Sequence, residues 1–101
     1  MAILDISIVP LGTEGPSLSS YLRDLPAILE DSGLRYQIHP MGSVVEGGLE
    51  ELFALTLRLH EAPFSRGCRR VATHLLIDDR RDLSRSMEDK AASLIQAAEN
   101  R

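Results

Sequence analysis

The chain turns back on itself near its middle. Tyr36 to Gly47, Y-Q-I-H-P-M-G-S-V-V-E-G, reads as two short strands joined by a tight turn at Pro40-Met41-Gly42. Gly42 permits a positive φ or a close backbone approach. A central hairpin limits what the flanks can be, because a sheet with an apolar face needs further strands beside it and a second layer above it.

The flanks supply both. Ala2 to Val9 alternates, with Leu4, Ile6 and Ile8 on one face and Ile3, Asp5, Ser7 and Val9 on the other, the period of a strand. Pro10 and Gly12 end it, and Leu11 to Pro16 reads as a loop. Ser17 or Ser19 can cap a helix that carries Leu18, Leu22, Leu25, Ile28 and Leu29 to about Asp31, bent at Pro26, with Ser32-Gly33 as its stop.

After the hairpin strands, Leu34–His39 and Ser43–Glu46, Leu49 to Ser65 has helical spacing at Leu49, Leu52, Phe53, Thr56, Leu59 and His60. Arg69 to Asp78 alternates again, and Asp79 to Arg85 is a charged connection. Ser86 caps a last helix to about Ala98 with Met87, Ala91, Leu94, Ile95 and Ala98 as its stripe.

The order β-α-β-β-α-β plus a terminal helix predicts an α+β, ferredoxin-like sandwich with a four-stranded antiparallel sheet. Its open face mixes Ile3, Val9, Ala72 and Leu76 with Asp5, Ser7 and His74, so self-association is expected to cover it.

A chain of 101 residues has room for one domain, residues 1–101, with a core of Leu, Ile, Val and Ala because aromatics make up only 4%. The net charge of −4 argues against a nucleic-acid partner, and the arginines at 66, 69, 70, 80 and 81 flank a strand without interleaved aromatics. Cys68 alone allows no internal disulfide. His39, His60 and His74 have no metal-ligand spacing, so neither metal nor cofactor is expected. Met1-Ala2-Ile3-Leu4-Asp5 lacks a basic leader and no apolar run approaches a membrane span, so the expected location is cytoplasmic.

Ser43 and Glu46 are the leading candidates for ligand chemistry: a hydroxyl and a carboxylate that together suit a polar ring carrying positive charge. Met41 can pack its polarisable sulfur on an aromatic ligand. Asp5, Ser7 and His74 share a sheet face and suggest a nucleophile set. However, Ser7 lies mid-strand with no oxyanion glycine motif after it, so polar lining is the better reading. The alternating signs of Asp78-Asp79-Arg80-Arg81-Asp82 fit a salt-bridged connection or an interface.

Three segments, in order, carry a family resemblance. They are Ser7-Ile8-Val9-Pro10-Leu11-Gly12, the Tyr36–Gly47 hairpin with P-M-G-S and E-G, and Ile77-Asp78-Asp79-Arg80-Arg81-Asp82 with Met87 and Lys90 downstream. Together they resemble the small thiamine-binding proteins of the MTH1187/YkoF-like group. The resemblance implies a ferredoxin-like subunit that forms dimers and tetramers and binds thiamine or its hydroxymethylpyrimidine portion without catalysis. It implies ligand contacts from Met41, Gly42, Ser43 and Glu46, with Ser7, Pro10, Leu11 and Gly12 nearby. Ser43 stands where threonine is common in that group, which keeps the hydroxyl, whereas His39 and Pro26 depart from its pattern. A scaffolding module without a ligand is the alternative. An acylphosphatase-like enzyme would need a water-positioning Asn, and the chain has only Asn100.

Overall fold

The computed structural model describes residues 1–12, 19–82 and 86–99. Its elements are β1 (Ala2–Pro10), α1 (Ser19–Leu22), α2 (Leu25–Asp31), β2 (Arg35–His39), β3 (Gly42–Gly47), α3 (Leu49–Ser65), β4 (Val71–Asp78) and α4 (Met87–Glu99). The strands form one antiparallel sheet in the order β2-β3-β1-β4. With α2 and α3 on one face, this is the expected ferredoxin-like α+β arrangement.

The core follows from two periodicities. Every second residue of β1 (Ala2, Leu4, Ile6) points to the helical side and meets Val45 of β3, while Leu52, Leu55 and Leu59 descend from α3 at helical spacing and Leu29 from α2. Burying each such side chain contributes about 1.5–3 kcal/mol, which offsets the conformational entropy lost on ordering.

The first crossover helix differs from its expected form. It is not one helix bent at Pro26 but two, with the break at Arg23-Asp24. Pro26 sits in the first turn of α2, where its missing N–H would have no intrahelical partner anyway. Asp24 occupies the N-cap position without capping through its side chain, because its carboxylate grips Arg66 at the end of α3 through two bonds of 2.8 Å. The expected contributions of Ser17, Leu18 and the 13–16 loop lie outside the described residues. Gly33 takes the left-handed conformation expected of it, at φ 73°. Pro10 stays within β1 as its last residue, on the flank where β3 no longer runs alongside, so its missing donor disturbs no ladder.

α4 crosses the open face of the sheet at one end only. Ser86 and Asp89 cap it reciprocally, each side chain accepting the other's N–H, at 3.1 and 3.2 Å. Met87 is buried, but the helix is exposed from Glu88 onward, with Leu94 and Ile95 more than half exposed. Most of the open face is therefore left uncovered by α4. Ahead of it, Arg80 grips Asp82 and Arg81 grips Asp79, and residues 83–85 of the charged connection lie outside the description.

Candidate ligand site

The hairpin closes through the His39–Gly42 pair with Pro40 and Met41 at its tip. Gly42 is required by close approach: a Cβ there would lie 2.7 Å from the carbonyl oxygen of Ile6. β3 therefore begins hard against β1, and the hairpin turns away immediately beyond it.

That early turn leaves a notch. β1 pairs with β4 from Ile3 to Pro10, but with β3 only from Ala2 to Ile6. Leu11 N–H donates to the Arg70 carbonyl at 2.8 Å, and the antiparallel alternation then aims odd-numbered β1 residues at β4 and even-numbered ones at the β3 side. The β3 ladder ends at the Ile6–Ser43 pair, so the N–H and C=O of Ile8 face a position where no strand runs.

The notch opens into a cleft of about 380 Å³. One wall is β1 from Ile6 to Val9, the second is Leu22, Leu25 and Pro26 of the broken helix, and the third is the hairpin from Ile38 to Ser43. Leu29 and Leu59 form the floor. This is a small-molecule volume, within the usual range of about 300–1,000 Å³, with mostly apolar walls and a few polar groups. Ser43 supplies a polar side chain, and Met41 stands at the rim, 89% exposed.

Met41, Gly42 and Ser43 are thus brought together with the strand carrying Ser7. Ser7 itself edges the cleft through its backbone, because the alternation turns its side chain to the open face, where it lies opposite His74. Asp5 shares that face, but no hydrogen bond links the three side chains. Pro10 at the end of β1, and Leu11 and Gly12 after it, are not among the cleft walls.

Glu46 is placed elsewhere. Positions 43 and 46 differ by an odd number, so a strand must send their side chains to opposite faces. Glu46 is only 7% exposed, and both its oxygens are engaged. Oε1 accepts from Arg35 Nη1 and Oε2 from the Met87 N–H, each at 3.0 Å, while Arg35 also pairs with Glu88. The joint Ser43–Glu46 site expected from the sequence is not formed, and Glu46 anchors α4 instead.

Sequence reasoning missed the backbone of Ile8 and the wall made by Leu22, Leu25 and Pro26. The signal for the wall was the apolar stripe already read as core. Around the cleft the helical layer is fastened by polar clasps. The Tyr36 hydroxyl donates to Glu30 at 2.8 Å, and that bond holds its pKa above the ordinary phenol value. The Arg66 hydrogen bonds hold the Asp24 carboxyl below its ordinary range. Among the described residues no His, Cys, Asp and Glu side chains gather to hold a metal ion, and no helix is long and apolar enough to cross a membrane.

The chain has known relatives. It is 47% identical over 98 residues to the UPF0045 protein YqgV of Bacillus subtilis, covering 93% of this chain and 94% of that one. It is 40% identical over 95 residues to a UPF0045 protein of Methanothermobacter thermautotrophicus, covering 93% and 96%. The crystal structure of MJ1052 from Methanocaldococcus jannaschii matches with a TM-score of 0.83 at 29% identity, over 92% of this chain and 94% of that one. The fold also matches TM0486 of Thermotoga maritima, a protein with a candidate role in thiamine biosynthesis or salvage, with a TM-score of 0.77 at 22% identity over 92% and 97% of the two chains. A family profile described as "Thiamine-binding protein" matches residues 4–95. With nearly its whole length matched by that profile and by UPF0045 relatives, the chain belongs to the thiamine-binding protein family.

Proposed function

We propose that the cleft between the hairpin and the broken first helix binds thiamine or its hydroxymethylpyrimidine portion, without chemical conversion. The observation that carries this reading is the notch: Ile8 presents a main-chain donor and acceptor, with no ladder partner, at the edge of an apolar cleft. An aminopyrimidine has a donor and an acceptor side by side on one edge, which is the pattern a strand flank recognises. Its flat ring suits the Leu22, Leu25 and Ile38 walls, Ser43 offers a hydroxyl, and Met41 can lie over the ring. Family membership and the role ascribed to TM0486 support the choice of ligand.

In this reading the subunit works in the cytoplasm as a dimer or tetramer, with no nucleic-acid partner. The mid-strand place of Ser7 favours binding over catalysis. Calorimetry with thiamine and with hydroxymethylpyrimidine tests the proposal. Saturable heat for at least one ligand, reduced by Ser43→Ala, is expected, and its absence for both overturns the reading.

A further inference from the structure

The open face of the sheet carries a second depression, across the hairpin tip from the cleft. Alternation sends His39 of β2, Gly42 of β3, Ser7 of β1 and His74 of β4 to that face. The register sets them in one row: His39 pairs with Gly42 and Ser7 with His74, and a Cβ on Gly42 would lie 3.4 Å from that of Ser7. Two imidazoles thus end a row whose middle is a bare glycine and a small serine. The gap between them is a shelf of about 400 Å³, lined further by Met41, Val44, Asp5 and Leu76.

Asp5 is out of place there on stability grounds. It lies on a strand paired on both sides, between Val44 and Leu76. Asp is disfavoured in strands, and a charge on a central strand protects no edge. Among the described residues its carboxylate has no hydrogen bond or ion pair. The cations at the α4 end of the face are engaged elsewhere, Arg35 with Glu46 and Glu88 and Lys90 with Asp78. Asp5 is the one carboxylate on the shelf, and no Lys or Arg lines it.

These groups select the occupant. An anion would meet the carboxylate, and a metal ion would find too few ligands, since no His, Cys, Asp and Glu side chains gather here. A flat organic cation finds a counter-charge in Asp5, apolar surface on Val44 and Leu76, and the polarisable sulfur of Met41. The shelf also communicates with the cleft: Ser7, His39, Met41 and Gly42 line both. The two meet where β3 stops, so a molecule whose ring lies beside Ile8 can reach the open face past the hairpin tip.

We propose that the shelf is a second subsite, for an organic cation carried by the same molecule whose flat ring occupies the cleft, with Asp5 as its counter-charge. This rests on the cleft reading and adds a discrimination to it. Thiamine joins a neutral aminopyrimidine to a cationic thiazolium ring through one carbon, so it can use both subsites. Hydroxymethylpyrimidine fills the cleft alone. Asp5 is then the residue that distinguishes the two ligands. It takes the role of counter-charge that Glu46 cannot, because both Glu46 oxygens are already bonded.

Paired calorimetry and amide NMR spectra test it. Thiamine is expected to bind the wild type about fivefold more tightly than hydroxymethylpyrimidine, the worth of one part-exposed charge pair. Asp5→Asn should bring that ratio close to one, and Asp5→Glu should retain part of it. In the wild type, thiamine should shift the amides of Asp5, His74 and Leu76, and hydroxymethylpyrimidine should leave them in place. Equal affinities in the wild type, an unaltered ratio in an Asp5→Asn variant with wild-type circular dichroism, or shifts confined to the cleft for both ligands would each overturn the shelf and leave the cleft reading standing. Saturable heat for neither ligand overturns both.

Discussion

Glu46 Oε2 accepts the backbone N–H of Met87 at 3.0 Å, tying the centre of the sheet to the first turn of α4. Removing that carboxylate should loosen α4 before it affects the body of the fold. In Glu46→Ala, amides of residues 90–99 are expected to exchange faster, with a loss of about 1.5–3 kcal/mol in global stability from a buried, charge-assisted acceptor. Hydrogen-exchange mass spectrometry and urea melts read the two effects separately. Unchanged exchange in α4 would refute the anchoring role.

The same geometry separates Glu46 from ligand affinity. Ser43→Ala should weaken thiamine or hydroxymethylpyrimidine binding about five- to tenfold, the worth of one hydrogen bond. Glu46→Gln should change affinity less than about threefold, because its side chain lies on the opposite face from the cleft. Calorimetry on both variants decides between this arrangement and one in which the carboxylate contacts the ligand.

Gly42→Ala places a methyl 2.7 Å from the Ile6 carbonyl oxygen, a backbone atom that cannot swing aside as the end of a flexible side chain could. The hairpin must shift from β1. A loss of about 1–3 kcal/mol is expected together with weaker ligand binding, measured by thermal denaturation with and without ligand.

Leu52→Ala empties a fully buried position in the core that is not part of the cleft wall. The expected cost is about 2–5 kcal/mol in denaturant melts, from lost transfer energy and the cavity left behind. Ligand affinity at temperatures where the variant stays folded should not change.

The Asp24–Arg66 clasp gives the fold an acid limb. Its hydrogen bonds hold the Asp24 carboxyl below its ordinary value of 3.8 in the folded chain. A depressed carboxylate pKa adds stability above the unfolded value and loses it as pH falls through the folded one. Arg66→Ala should therefore be less stable than wild type at pH 6. The two should converge as pH drops below about 3.8, as urea midpoints across that range would show.

Much of the fold was readable because its elements announce themselves locally. Period two placed Leu4 and Ile6 in the core, and helical spacing placed Leu52 and Leu59 there, but the same stripe took in Phe53, which is half exposed, and passed over Leu55, which is buried. The break at Arg23-Asp24 was not readable, because it depends on Asp24 turning from its cap position to an arginine 42 residues away. For the site, Met41, Gly42 and Ser43 were placed at the cleft by their turn. Grouping Ser43 with Glu46 followed chain proximity where strand alternation separates them. The Ile8 main-chain flank has no side-chain signature at all, since it arises from where β3 stops.

α4 is held at one end by Glu46, Arg35 and Asp78, and its 13 residues reach about 20 Å from that anchor. Mechanically it is a cantilever: a rotation of a few degrees at Met87 becomes a displacement of ångströms at Glu99. Leu94 and Ile95 lie toward the far end, so where they stand is set at the root, where Arg35 holds Glu46 through Nη1 and Glu88 through Nη2.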